Sequence, residues 1–283
     1  MKITAIATSH DRRPTTIHAL EALLAQDIPP GVAVHLVLVD DGSTDGTAAA
    51  VRELWPSADI IAGSGSLFWA AGMAIAELRA KESIPDFLLW LNDDVVLDRG
   101  ALRVLLEVAT QRARSGARAC IVVGATRDPM LGRVTYSGLI RRGIHPMRFE
   151  RVEPSGEVQS VETFNGNVAL VPRSVYERVS IDGCFEHAIA DLDYGLRARA
   201  VGCDVVLAPK TVGACARNSV CGTWRDSSLR FRERWRLAID RRGIPPRSQA
   251  RFLRRHAGPT WPVWWLGPYI KLALEAGLRR RTA

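Results

Sequence analysis

Phe87-Leu88-Leu89-Trp90-Leu91-Asn92-Asp93-Asp94-Val95-Val96 is an apolar run of strand type that ends abruptly in two adjacent carboxylates. Adjacent acids are poor material for a core. At the exit of a strand they suit a divalent cation held against a phosphate-bearing ligand, because hard cations prefer oxygen ligands. A solvent-exposed turn, where Asn and Asp are common, is the competing reading. The segments around the motif bear on which holds.

Strand-like and helix-like segments alternate on both sides of it. Ile3–Thr8 is a short apolar strand, and Pro14–Gln26 has helical spacing through Ile17, Leu20, Leu23 and Leu24, with Pro14 near its first turn. Val32–Asp40 is a second strand that runs into Asp40-Asp41-Gly42-Ser43, after which a helix reaches Leu54. Asp59–Ala62, Phe87–Leu91 and Ala119–Gly124 read as strands, and Trp69–Lys81 and Gly100–Ala113 as helices. This rhythm predicts an α/β fold with a mostly parallel sheet flanked by helices. Such sheets bind ligands beyond the carboxyl ends of their strands. Thr8-Ser9-His10, Asp40-Asp41 and Asn92-Asp93-Asp94 all fall there. Residues 126–165 read as short strands and loops, with Val134–Ile140 a hairpin arm. Val168–Val171 is an apolar stretch, Pro172–Val179 a short helix, Ala188–Val201 a helix and Cys203–Leu207 a strand.

The 283 residues suffice for one large α/β domain with an appendage, and 47% hydrophobic content supports an ordinary core. Five cysteines, odd in number and without a CxxC pair, imply reduced thiols in a cytoplasmic protein. The first apolar stretch is too short for a signal peptide. The formal charge of +8 is uneven: residues 225–283 carry 15 Lys+Arg and 4 Asp+Glu, a net of +11, which leaves −3 for the rest. We therefore expect a catalytic domain over 1–222 and a basic, Trp-rich helical tail over 223–283. No GxGxxG, GxxxxGK[ST] or GxSxG is present, which argues against dinucleotide-binding dehydrogenases, P-loop NTPases and serine hydrolases.

Three constellations carry candidate chemistry. Asn92-Asp93-Asp94 could hold Mg²⁺ or Mn²⁺ and so stabilise charge on a departing diphosphate. Asp40-Asp41 could accept hydrogen bonds from ribose hydroxyls and a base N–H, or could simply make a turn. Asp191 and Asp193 open a helix, where acids are ordinary, yet one ionised carboxylate there could serve as general base for an acceptor hydroxyl.

Ile6-Ala7-Thr8-Ser9-His10-Asp11-Arg12, Val39-Asp40-Asp41-Gly42-Ser43-Thr44-Asp45, Leu91-Asn92-Asp93-Asp94-Val95, Asn165-Gly166-Asn167 and Ala190-Asp191-Leu192-Asp193 follow one another in that order. Together, over about residues 1–215, they resemble the family 2 glycosyltransferases of GT-A fold, especially the bacterial rhamnosyltransferase-like branch. The resemblance implies an inverting transfer from a nucleotide-sugar donor to a saccharide or lipid-linked acceptor in surface polysaccharide or glycolipid synthesis. It implies nucleotide contacts from Thr8, Ser9, Asp40 and Asp41, and metal binding by Asp94 and Asp93. It further implies a donor and acceptor pocket from Asn92, Asn165, Gly166, Asn167, Asp193 and Trp69, with Asp191 as catalytic base. Three departures stand out. Ala190 replaces an acid before the base. Val212–Asn218 lacks the family's histidine, which leaves Cys215, Arg217 or Asn218 to stand in its place. Trp69-Ala70-Ala71-Gly72-Met73-Ala74 lacks an Asn near the helix start.

The tail packs Trp261, Trp264, Trp265 and Tyr269 between apolar residues and closes on Arg279-Arg280-Arg281. Aromatics between apolar and basic residues are typical of a membrane interface, and internal prolines argue against a spanning helix. The expectation is peripheral contact with an anionic membrane surface at the inner face of the plasma membrane, without nucleic acid; tail aromatics packed onto the catalytic domain are the bland alternative. Two other functions fit the acidic edge: a sugar-phosphate nucleotidyltransferase, for which Thr8–Arg12 lacks the Gly-rich basic loop, and a non-catalytic, membrane-docked nucleotide-sugar-binding protein.

Overall fold

Alternating side-chain direction along the central strands produces a sheet with two apolar faces. Leu36 and Leu38 enter one core layer while Val37 and Val39 enter the other, and Leu89 and Leu91 oppose Leu88 and Trp90 in the same way. A strand covered on both faces needs apolar residues throughout, which is why these segments read as continuous hydrophobic runs. The computed structural model describes residues 1–281, with side chains to Glu275.

The first half winds as β1 (Lys2–Ser9), α1 (Arg13–Leu24), β2 (Ala33–Asp40), α2 (Thr47–Leu54), β3 (Asp59–Ala62), α3 (Phe68–Lys81), β4 (Phe87–Leu91), β5 (Val96–Leu97), α4 (Ala101–Arg114) and β6 (Cys120–Arg127). An excursion follows through β7 (Val134–Tyr136), β8 (Gly138–Arg141), β9 (Phe149–Arg151), β10 (Gln159–Ser160) and β11 (Thr163–Phe164). The chain then returns through β12 (Val168–Pro172), α5 (Arg173–Tyr176), α6 (Ala190–Ala200) and β13 (Asp204–Ala214), and ends in α7 (Phe231–Ile239), α8 (Pro246–His256) and α9 (Trp261–Arg281).

The main sheet runs β10-β13-β6-β12-β4-β1-β2-β3. β1 pairs in parallel with β2 and β4, β2 with β3, and β13 with β6. β12 is antiparallel to both β4 and β6. The expected parallel sheet is therefore present with one reversed strand at its centre, and that reversal matters for the site. Because β12 runs backwards, Asn165-Gly166-Asn167 enters the sheet at the edge where β1, β2 and β4 end. Asn92 N–H donates to the Asn167 carbonyl (3.0 Å), closing that seam.

Val134–Ile140 is not one hairpin arm. β7 pairs with β6, while β8 leaves to form a small sheet in the order β11-β8-β9. The switch falls at Ser137-Gly138, where a Cβ on Gly138 would press into Val161 at 2.7 Å. Only glycine allows that approach.

α1, α2 and α4 cover one face of the sheet with Leu20, Leu23, Val51, Leu102 and Leu105. α3, α5 and α6 cover the other with Met73, Ala76, Val175 and Tyr194 around Trp90 and Phe164. A third apolar cluster joins the tail to the domain: Phe252 and Leu253 of α8 bury against Ala70, Phe185 and Ala190, with Trp69, Trp261, Trp264 and Trp265 at its margin. Among the described residues no helix is long and apolar enough to cross a membrane. The Arg279-Arg280-Arg281 side chains lie outside the described residues.

Candidate active site

The carboxyl ends of β1, β2 and β4 meet at one edge, with Ser9 in register with Asp40 and Ile6 with Trp90. A cleft of about 500 Å³ opens there, walled by Thr8, Ser9, Arg12, Asp41, Trp69 and Asp93 and rimmed by Phe68, His187, Asn218 and Arg242. No glycine-rich loop follows β1; Ser9-His10-Asp11-Arg12 leads directly into α1.

Asp41 is buried and its carboxylate is committed to the backbone. Oδ1 accepts the N–H of Gly65 (2.8 Å), and Oδ2 accepts those of Leu67 (2.9 Å) and Phe68 (3.0 Å). It thereby fixes the loop into α3, including Phe68 at a φ of +58, a left-handed conformation costly for a bulky residue. Asp40 accepts the Ser43 N–H (3.1 Å) and stays outside the cleft lining. The turn reading and the cleft reading of this pair therefore both have a counterpart: Asp40 holds the turn, and Asp41 builds the wall. Replacing Asp41 with Ala should lower stability by about 2–3 kcal/mol, because three N–H groups lose their acceptor. An unchanged urea midpoint would show that the pinning has no energetic weight.

Ser9 Oγ bonds Thr16 Oγ1 (2.7 Å), tying β1 to α1. Thr8 faces α3 at Gly72, where any Cβ would run into Thr8 Oγ1. That close approach is a physical reason for the small residues of Ala70-Ala71-Gly72.

The two acids that end β4 are bridged by one cation. Arg12 Nη1 donates to Asp93 Oδ1 (2.9 Å) and Nη2 to Asp94 Oδ2 (3.0 Å). Burial pushes Asp93 up to about 6; Arg12 works against that rise, the Asp94 charge adds to it, and a hydrogen bond with Ser9 opposes it. On the far side of Asp94, where the resemblance calls for a histidine, stands Cys215. Its Sγ donates to Asp94 Oδ1 (3.4 Å), and burial together with that acid raises the thiol far above its ordinary value, so it is neutral. Among the described residues no three His, Cys, Asp or Glu side chains converge as a ligand set. Two carboxylates shared with a guanidinium, plus a protonated thiol, do not fit a resident Mg²⁺ or Mn²⁺.

Behind Trp69, the cleft is backed by Gly166. Its N–H donates to Asp191 Oδ2 (2.9 Å), and a Cβ would sit 2.7 Å from the Trp69 ring. Trp69 Nε1 in turn donates to Asn92 Oδ1 (2.8 Å). Asn92, Trp69, Gly166 and Asp191 thus form one contiguous cluster, of which Trp69 lines the cleft. Asp191 Oδ1 accepts the Leu192 N–H (2.8 Å). Burial raises the Asp191 carboxyl above its ordinary value, and the Gly166 and Leu192 N–H groups limit the rise. Asn165 Oδ1 turns to the Ser137 N–H (3.4 Å), and Asn167 Nδ2 to Cys215 Sγ (3.7 Å).

Asp193 does not line the pocket, contrary to expectation. It is fully buried and turned toward the tail, bonded to Arg197 (2.6 Å), Arg255 (3.0 Å) and His256 (2.9 Å). Residues two apart on a helix differ by about 200° around its axis, so Asp193 and Asp191 point to opposite sides of α6. Conversely, Arg12, Phe68, His187 and Arg242 reach the cleft without having been singled out. Arg12 sat within the first motif, which was a usable signal. His187 and Arg242 carry no local pattern, and only packing brings them there.

The model of the family described as Glycosyl transferase family 2 matches residues 4–176. The chain is 29% identical over 197 residues to the N-acetylglucosaminyl-diphospho-decaprenol L-rhamnosyltransferase of Mycobacterium tuberculosis, in strains CDC 1551 and H37Rv alike. That match covers 60% of this chain and 62% of the relative's length. Among solved structures, S. aureus TarS 1–349 in complex with UDP superposes with a TM-score of 0.57 at 15% identity, over 92% of this chain and 73% of that one. A longer S. aureus TarS structure gives 0.56 over 92% of this chain and 44% of its own length.

Proposed function

The chain belongs to glycosyl transferase family 2, and from that premise we propose that it moves a sugar, with inversion, from a nucleotide-diphosphate donor to a hydroxyl of a lipid-linked saccharide. The observation that carries the reading is the placement of Asp191: a carboxylate raised by burial, held by two N–H groups, and packed through Gly166 against Trp69, which lines the cleft. The nucleoside lies along β1 and the Asp41 loop. The acceptor hydroxyl gives its proton to Asp191 Oδ and attacks the anomeric carbon from the face opposite the departing nucleoside diphosphate. Trp69 offers an apolar ring face to a sugar, and Gly166 leaves room for it. The name of the mycobacterial relative supports a rhamnosyl donor and an N-acetylglucosaminyl acceptor carried on a diphospho-polyprenol. A Mg²⁺ or Mn²⁺ ion would have to enter with the donor and take Asp94 from Arg12.

A lipid-linked acceptor requires the protein to work at a membrane, and α9 supplies a suitable surface. Trp261, Trp264, Trp265, Tyr269 and Leu272 turn inward, while Val263, Leu266, Ile270 and Leu274, all at least 45% exposed, recur at helical spacing on the outer side. Exposed arginines of α8 lie next to the aromatics of α9, Arg247 and Arg254 beside Trp265 and Arg254 over the Trp261 ring (4.6 Å). An apolar stripe beside cations fits an anionic leaflet, at the cytoplasmic side where activated sugars are made. The full chain should co-sediment with phosphatidylglycerol vesicles, less so at high salt, and Leu266→Glu with Ile270→Glu should abolish this without lowering nucleotide affinity. Equal sedimentation of the double variant would remove α9 as the docking face.

The functional reading is tested by incubating the full chain with dTDP-, UDP- and GDP-linked rhamnose and glucose donors and a polyprenyl-diphospho-N-acetylglucosamine acceptor. Mass spectrometry should show one added sugar with stoichiometric nucleoside diphosphate. Donor binding without transfer to any acceptor would favour a binding protein instead.

A further inference from the structure

The charge of a departing diphosphate must be met by something, and the two acids at the end of β4 already share a single cation, Arg12. We propose that Arg12 and Arg242, from opposite ends of the chain, form a two-arginine clamp on the donor diphosphate, so that nucleotide binding needs no divalent cation. The inference rests on the nucleotide-sugar reading above.

Arg12 is positioned by its carboxylates and still half open to the cleft, with 44% of its side chain exposed. Asp93 and Asp94 use one N–H on each terminal nitrogen, which leaves the remaining donors of a planar, permanently charged fork for phosphate oxygens. Arg242 lines the same cleft. Its guanidinium has no carboxylate partner among the described residues, although its backbone N–H donates to Asp240 Oδ1 (3.1 Å); the guanidinium carbon lies 5.7 Å from the Phe68 ring centroid. A cation stacked on a ring and left without a counter-ion beside a phosphate-sized cleft is placed to receive an anion.

The loop that carries Arg242 is fixed. Arg241 stacks on Phe68 as well (5.2 Å) and donates to the Ser66 carbonyl (2.9 Å). Ile244 N–H donates to the Ala238 carbonyl (2.7 Å), and Gly243 is pressed so tightly on Leu237 and Ala238 carbonyls that no Cβ would fit. Phe68 is itself held by Asp41. The wall that shapes the nucleotide site therefore also sets the height of the tail arginine above it. His187, edge-on to Phe68 at 6.0 Å, completes the rim; burial and then Arg242 keep it below its ordinary value, so it adds no competing charge near neutral pH.

Isothermal titration of the full chain with UDP, dTDP and GDP, and with the matching monophosphates, tests the clamp in EDTA and in Mn²⁺. The expected result is one nucleoside diphosphate bound with the same affinity in both buffers. Arg242→Gln, on an exposed loop, should weaken diphosphate binding about tenfold or more, the worth of one charge-assisted hydrogen bond, while leaving the monophosphate unchanged. Arg12→Gln should lose diphosphate affinity in EDTA and regain it with Mn²⁺, because two carboxylates are set free. Wild-type binding that requires Mn²⁺, or an Arg242→Gln loss equal for mono- and diphosphate, overturns the clamp and leaves the transferase reading intact. Failure of every nucleotide to bind in either buffer overturns both.

Discussion

Asp191→Asn should cut sugar transfer by about 10²–10⁴-fold, the usual worth of a positioned general base. The substitution keeps size and shape but removes the group that accepts the hydroxyl proton. The Leu192 N–H retains an acceptor in the Asn oxygen, whereas the Gly166 N–H then faces an amide NH₂. A modest loss of stability is expected beside the kinetic one, so thermal unfolding and nucleoside diphosphate affinity are measured on the same preparation. Transfer lost with affinity kept identifies the base; transfer at the wild-type rate would show that another group takes the proton. The wild type should also show an acid limb. The base form of Asp191 is lost as pH falls through its pKa, and burial has moved that pKa upward. The limb should therefore lie above the pH at which an exposed aspartate titrates, and the Asn variant should lack it.

Asp193→Ala should destabilise the protein by about 3–5 kcal/mol, the cost of breaking a buried ion pair from one side. The residue is fully buried with three cationic or potentially cationic partners, two of which, Arg255 and His256, belong to α8. Its removal leaves Arg255 and Arg197 facing a void without an acceptor, although Arg255 keeps Asp182 (2.6 Å). The expected signature is a lower urea midpoint together with early proteolytic release of the tail, since Phe252 and Leu253 are the main apolar anchors left. A tail as protease-resistant as in the wild type would mean that apolar packing and the Asp182 ion pairs with Arg251 and Arg255 hold α8 without Asp193. Burial works to raise the Asp193 carboxyl, but His256 and Arg197, with Arg255, bring it below its ordinary value. The stabilisation it supplies is accordingly complete above the ordinary carboxylate range and fades as pH falls through its lowered folded value. Acid should therefore loosen the tail.

These two acids sit two positions apart in one helix, and their contrast shows what could be read in advance. Asp191 was legible as a candidate only from its order behind two acidic strand ends, since an acid at a helix start is ordinary. Asp193 looked equally available. Its real partners lie 62 and 63 residues downstream, and no local pattern announces such a pair. The tail shows the same division. Its charge and its tryptophans were plain, yet which of them face inward depends on how α8 and α9 lie against α3 and α6. Arg241 and Arg242, counted there as surface charge, instead stack on Phe68 at the cleft.

The amino-acid order by itself determined the strands, their winding and the sheet edge on which the acids gather, because periodicity and strand ends are local properties of the chain. Tertiary structure alone decided what those acids do. Asp41 turned to three backbone N–H groups, Asp93 and Asp94 to Arg12, and Asp193 to the tail, while Asp191 took the Gly166 and Leu192 N–H groups beside Trp69. A carboxylate's role is set by the donors and the burial that surround it, and these come from segments far away in the chain.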